Sequence, residues 1–193
     1  MTSIETPRDV AAHPGDVALA AATEALRTHV RDVQDFPQPG VVFKDITPVL
    51  ATPAAFAAVV GALAETAQRL GATVIAGIEA RGFLLAAPVA DRVGAGIVPI
   101  RKQGKLPGRT VAESYALEYG TATLEIHHDA VGPRDRVLIV DDVLATGGTA
   151  AAAANLIRNG GAEILGLAVL MELTFLAGRE RIPSLDVTAL LTI

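Results

Sequence analysis

The run from Val137 to Ala150, VLIVDDVLATGGTA, restricts the fold more than any other stretch of the chain. Val137, Leu138, Ile139 and Val140 are continuously apolar and mostly β-branched, which predicts a short strand buried on both faces of a parallel sheet. Two adjacent carboxylates, Asp141 and Asp142, follow at once. Next come Ala145-Thr146-Gly147-Gly148-Thr149 and the segment AAAAANLIRNGG, which reads as a helix closed by Gly160 and Gly161. The order is strand, acidic pair, glycine-hydroxyl loop, helix.

A loop at the carboxyl end of a parallel strand lies in the crevice where open α/β sheets bind ligands. Gly147 and Gly148 let the backbone turn its N–H groups inward, Thr146 and Thr149 add hydroxyls, and the next helix contributes the positive end of its dipole. Such a loop suits a phosphate. It is not a Walker loop, since no lysine follows the glycines, and the G-x-G-x-x-G spacing of a dinucleotide site is missing. Two carboxylates beside an anion repel it unless they hold something between, either sugar hydroxyls or a divalent cation. Phosphate, sugar and Mg²⁺ together point to a phosphoribosyl group. An acidic turn with a good helix start explains a lone TGGT, but not the whole constellation.

The 193 residues are enough for one α/β domain and too few for two substantial ones. The apolar share, 51%, is dominated by alanine and valine, and no run approaches a membrane span. Without cysteine there is no disulfide framework and no thiolate chemistry, so any metal must take oxygen ligands, and a reducing, cytoplasmic setting fits. A net charge of −5 and the lack of a basic patch argue against nucleic acid as a partner. Residues 1–15 read as a loose N-terminal tail, followed by a single domain over 16–193.

Along the chain, Asp16 to about Val33 predicts an amphipathic helix with Asp16 as N-cap. Phe36-Pro37-Gln38-Pro39-Gly40 forbids helix. A second helix is expected over Pro53 to Leu70, with Gly71 at its end. A strand over 73–78 feeds Glu79-Ala80-Arg81-Gly82-Phe83 and a helix to about Val93, in which Pro88 predicts a bend or a late start. After a strand over 96–100, the nine residues 101–109 contain four basic side chains and three Gly or Pro, a loose cationic loop. Ser114 to His127 reads as a hairpin. His127 and His128 point to opposite strand faces and do not form a metal pair. A buried strand over 162–171, a short helical turn over 172–178 and a last strand over 186–193 complete the chain.

VLIVDDVLATGGT resembles the phosphoribosyl-pyrophosphate (PRPP) motif of the type I phosphoribosyltransferases. FPQPGVVFKDITPVL, AGIEARGF, RKQGKLPG and SYALEYG resemble, in the same order, stretches of the adenine phosphoribosyltransferase family, covering about Phe36 to Glu180. The resemblance implies a mainly parallel twisted sheet flanked by helices, with a small hood over about 16–45 and a core over 46–193. It implies that the backbone at Val42 and Lys44 reads the base edge while Phe43 stacks on it. Many relatives have arginine where this chain has Lys44, a change that a backbone contact tolerates. Asp141, Asp142, Ala145, Thr146, Gly147, Gly148 and Thr149 would hold the 5′-phosphate and ribose, with Asp141 and Asp142 also facing Mg²⁺, mostly through substrate and water. Glu79, Ala80, Arg81, Arg101, Lys105 and Tyr119 would contact pyrophosphate, with Lys102 a further candidate, and the cationic loop would close as a lid.

The implied reaction converts adenine and PRPP to AMP and pyrophosphate in purine salvage, with Glu118 as the acid–base residue. A homodimer is also implied, with lid and hairpin near the partner and no nucleic acid or membrane involved. Two other readings share the scaffold: a phosphoribosyltransferase for xanthine or another 6-oxopurine, and a PRPP-binding regulator without turnover. The stretch FPQPGVVFKD favours adenine, and the intact lid and LEYG stretches favour catalysis.

Overall fold

In the computed structural model, which describes residues 14–116 and 120–193, helix α1 (Pro14–His29) buries Ala22 and Leu26. Its Thr23 hydroxyl donates to the Leu190 carbonyl at 2.7 Å. Asp16 is not the N-cap predicted from sequence; it lies inside the first turn, where its charge suits the helix dipole. Nor does the helix reach Val33. Arg31–Gln34 forms strand β1, paired antiparallel with β2 (Val42–Asp45). Cross-strand pairs hold this hairpin: Arg31 Nη2 lies 2.6 Å from Asp45 Oδ2, and Lys44 Nζ lies 2.7 Å from Asp32 Oδ1. The Thr47 hydroxyl, together with Arg31, lowers the Asp45 carboxyl to about 2. These partners are distant in sequence, so helix periodicity carried past a boundary that pairing sets.

Helices α2 (Thr47–Ala51) and α3 (Pro53–Leu70) follow, and Gly71 ends α3 in the left-handed conformation, as predicted. The chain continues through β3 (Val74–Ile78), α4 (Arg81–Val93), β4 (Gly96–Lys102), β5 (Thr110–Ala116), β6 (Thr121–His127) and β7 (Arg136–Leu144). It ends with α5 (Gly148–Asn159), β8 (Glu163–Glu172) and β9 (Val187–Thr192). Helix α4 starts at Arg81 in spite of Pro88, rather than late. Leu84, whose carbonyl loses its helical donor to the proline, is exposed, so water can replace that bond. Two 3₁₀ turns, Thr174–Leu176 and Gly178–Arg181, stand where the sequence predicts one turn over 172–178.

Seven strands form one sheet in the order β5-β6-β4-β3-β7-β8-β9, parallel from β4 to β9 and antiparallel at β5 and β6. Alternate residues of β7 enter different cores, as a strand buried on both faces requires. Leu138 and Val140 pack with α3 and α4, whereas Val137 and Ile139 pack with α5. The sequence separates the acidic pair from the strand, but Asp141 and Asp142 belong to β7, because pairing with β8 continues to Leu144 opposite Glu172. Among the described residues no helix is long and apolar enough to cross a membrane.

The junction of β3 and α4 leaves no room for a side chain at Gly77, where a Cβ would lie 2.8 Å from the Ala86 Cβ and 3.1 Å from the Gly82 carbonyl oxygen. Gly77→Ala should therefore destabilise the fold by about 1–3 kcal/mol through overpacking. Urea denaturation reads this, and an unchanged midpoint would show that α4 has slack on the sheet.

Candidate active site

The site begins with close packing between α4 and β7. A Cβ on Gly82 would lie 2.8 Å from the Val140 carbonyl oxygen and 3.1 Å from Asp141 Oδ1, so only glycine lets the first turn of α4 sit against the acidic pair. That approach brings Arg81 over the end of β7, with Nη2 2.8 Å from Asp142 Oδ2. The contact is an ion pair out of hydrogen-bonding line. Oδ2 is buried with no hydrogen-bond donor among the described residues. Asp141 Oδ1 accepts the Asp142 N–H at 2.9 Å.

The pair is electrostatically costly. Burial, and then the Asp142 charge, push the Asp141 carboxyl well above the usual range. Burial also raises Asp142, although Arg81 opposes it. A ligand that brings hydroxyl donors or positive charge relieves both groups. Among the described residues no group of three or more His, Asp or Glu side chains is arranged to cage an ion. A cation here suits a hard, oxygen-bound ion held largely by substrate and water.

Next to the pair, the loop Ala145–Thr149 turns into α5, with Gly147 at φ +81°. Its backbone is pressed against the second 3₁₀ turn: a Cβ on Gly147 would collide with the Gly178 carbonyl oxygen, and one on Gly178 with the Ala145 carbonyl oxygen. Arg179 ties that turn to the end of β8 through two bonds to Glu172, each 2.7 Å. The Thr149 hydroxyl meets the Tyr115 hydroxyl of β5 at 3.1 Å. Sequence reading missed this buttress. The Gly-Arg of 178–179 is a signal too short to interpret before the chain is folded.

Asp141, Asp142, Ala145, Thr146, Gly147 and Thr149 line one cavity of about 480 Å³, together with Glu79, Ala80, Arg81 and Lys102. That volume is in the range of small-ligand sites. Gly148 stands behind it, facing the Tyr115 ring. The Glu79–Ala80 peptide is cis. Glu79 Oε2 accepts the Lys102 N–H at 2.9 Å and lies 3.3 Å from Arg101 Nε. Burial works against the Glu79 charge, but these partners outweigh it and lower its pKa. Arg101 and Lys105 do not line the cavity; Arg101 reaches its wall at Glu79, and the Arg101 Nη1 donates to the Lys105 carbonyl at 3.1 Å.

The hairpin reaches the cavity through Arg81. Its guanidinium lies 4.8 Å from the centre of the Phe43 ring and donates to the Lys44 carbonyl at 3.3 Å. Lys44 turns its side chain to Asp32, leaving its backbone facing Arg81. Val42 is half-exposed, and Phe36 packs edge-on against Phe43 at 5.1 Å. Glu118 and Tyr119, expected respectively as the acid–base residue and as a pyrophosphate contact, lie outside the described residues.

Comparison with known proteins gives a consistent picture. Residues 45–188 match the phosphoribosyl transferase domain family. An adenine phosphoribosyltransferase from Parafrankia sp. is 70% identical over 193 residues, covering all of both chains. The crystal structure of adenine phosphoribosyltransferase from Rhodothermus marinus is 51% identical, with a TM-score of 0.85 over 90% of this chain and 99% of that one. The Saccharomyces cerevisiae enzyme, crystallised with adenine and an imino-altritol bisphosphate, is 35% identical with a TM-score of 0.84, over 89% of this chain and 99% of that one.

The raised carboxyl pKa at Asp141 carries a stability prediction. A group whose folded pKa lies above its unfolded value favours folding at low pH and loses that contribution as pH rises through the folded value. Asp141→Asn removes the ionised state while keeping an oxygen for the Asp142 N–H. The ligand-free variant should melt higher than the wild type at neutral pH, with the difference closing towards about pH 4, the ordinary carboxyl value. Melting curves across pH check this; equal stability at neutral pH would mean the pair carries no electrostatic cost.

Proposed function

The chain belongs to the adenine phosphoribosyltransferase family, and we propose from that premise how its residues divide the work of making AMP and pyrophosphate from adenine and PRPP. The observation that carries the reading is the single cavity shared by the acidic pair, the glycine-hydroxyl loop and Arg81. The N–H groups of 146–149 and the start of α5 take the 5′-phosphate. Ribose hydroxyls donate to Asp141 and Asp142, supplying the donor that Asp142 Oδ2 lacks. Mg²⁺, when bound beside Asp141 and Asp142, supplies positive charge that offsets the charge of pyrophosphate.

The difficulty of the reaction is charge separation as the bond from the anomeric carbon to pyrophosphate breaks. Arg81, Arg101 and Lys105, with Lys102 on the cavity wall, hold the departing group beside the Glu79–Ala80 backbone and Tyr119. Closing the 103–109 loop excludes water, which would otherwise intercept the ribosyl cation. The β1–β2 hairpin serves as the hood: Phe43 stacks on adenine, and the backbone of Val42 and Lys44 reads its edge. Crystallisation of the yeast relative with adenine and an imino-altritol bisphosphate supports a base subsite beside a phosphate subsite. Glu118 handles the proton at the imidazole edge of the purine. The family resemblance implies a homodimer, with the lid and the hairpin near the partner. The absence of cysteine fits a cytoplasmic site of action.

With PRPP and Mg²⁺, a panel of adenine, hypoxanthine, guanine and xanthine should give nucleotide and pyrophosphate from adenine alone. Turnover with a 6-oxopurine instead sinks the hood assignment. Glu118→Gln should retain PRPP binding while turnover falls by roughly a hundredfold to ten-thousandfold, the usual weight of a general acid–base group. Near-normal turnover removes Glu118 from the mechanism.

A further inference from the structure

Glu125 has no part in the chemistry described so far, yet it is a carboxylate on β6 with only 4% of its surface exposed. It pairs with Arg101 of β4 on one side and with Ala112 of β5 on the other, the two strands that the 103–109 loop connects. Its Oε1 accepts the N–H groups of Lys105 and Leu106, each at 3.0 Å. Burial opposes its ionisation, but the N–H groups of Leu106, Gly104 and Lys105, with the Thr110 hydroxyl, outweigh that and lower its pKa.

Lys105 is therefore gripped at both ends of its peptide units. Its N–H goes to Glu125, and its carbonyl accepts from Arg101, which is itself held by Glu79 of the cavity wall. A loop containing Gly104, Pro107 and Gly108 has little intrinsic reason to hold its cations in one arrangement. Ordering it only when substrate arrives would cost affinity.

We propose that Glu125 is a positioning residue for the leaving group: its carboxylate fixes the backbone at Lys105 and Leu106, the stem on which the rest of the 103–109 loop closes, so that Arg101 and Lys105 are presented to pyrophosphate. This rests on the reading of 101–105 as pyrophosphate contacts. Hydrogen bonds to a charged group are worth enough that Glu125→Ala should raise the KM for PRPP by about tenfold to a hundredfold. The KM for adenine should stay unchanged. Amide exchange over 103–109 should accelerate while β3 and β7 keep their protection. Glu125→Gln, which retains an acceptor oxygen without the charge, should recover part of both effects.

Wild-type PRPP affinity and loop exchange in Glu125→Ala would overturn the proposal. So would faster loop exchange with no change in the KM for PRPP, or equal weakening of both substrates with protection lost throughout β3 and β7. Lys105→Ala measured in parallel separates the two layers of the argument. If it too leaves the KM for PRPP unchanged, the loop reading fails and takes this inference with it; if it raises that KM while Glu125→Ala does not, only Glu125 loses its role.

Discussion

Two carboxylates forced together at the end of a buried strand are the constraint around which this fold is arranged. Asp141 and Asp142 lie within β7, where pairing with β8 leaves the backbone no freedom to carry them apart. Burial favours proton uptake by both, and the Asp142 charge adds to it at Asp141, so both pKa shifts are upward. Arg81 supplies the nearest counter-charge, and it does so only because Gly82 lets α4 approach the strand without a side chain in the way. The arrangement keeps one carboxylate oxygen without a hydrogen-bond donor among the described residues. Such a group is a debit in an empty protein and an asset once hydroxyls or a cation arrive.

The same arginine connects chemistry to recognition. Arg81 touches the acidic pair, the Phe43 ring and the Lys44 carbonyl, so one guanidinium joins the end of β7 to the β1–β2 hairpin. A base that uses the Lys44 carbonyl must share or displace that contact. On the far side of the cavity, the loop Ala145–Thr149 is pressed against the backbone of the second 3₁₀ turn. Gly147 and Gly178 meet with no space for a Cβ on either, and the Arg179–Glu172 pair keeps the second turn in place. Preorganisation of this kind sets the loop's N–H groups before a ligand binds, so less ordering cost is left for binding.

Much of this was legible before the chain was folded, wherever the signal was local. The four apolar residues 137–140 announced a doubly buried strand, and each core does take alternate members. Pro53 and Gly71 marked both ends of α3. Resemblance added the family and the site residues, most of which meet in one cavity. Features decided by distant partners were not legible. Helix α1 ends early because Arg31 and Asp32 find Asp45 and Lys44 across a hairpin. The acidic pair is strand rather than loop because β8 extends beside it. The LEIH context of Glu125 gives no hint of a buried anchor, since its donors come from a loop twenty residues earlier.

In the ligand-free protein the carboxylate pair is held in an electrostatically unfavourable state that bound hydroxyls or a cation would relieve. Titration calorimetry of the ligand-free protein with PRPP and Mg²⁺, repeated in buffers of different ionisation enthalpy and from about pH 5 to about pH 8, measures it through the protons exchanged on binding. Relief of the pair predicts net proton release in the pH range where Asp141 is partly protonated, and loss of that release in Asp141→Asn. Tight binding with the same proton balance in wild type and variant would contradict the claim and assign PRPP recognition to the phosphate loop and arginines alone.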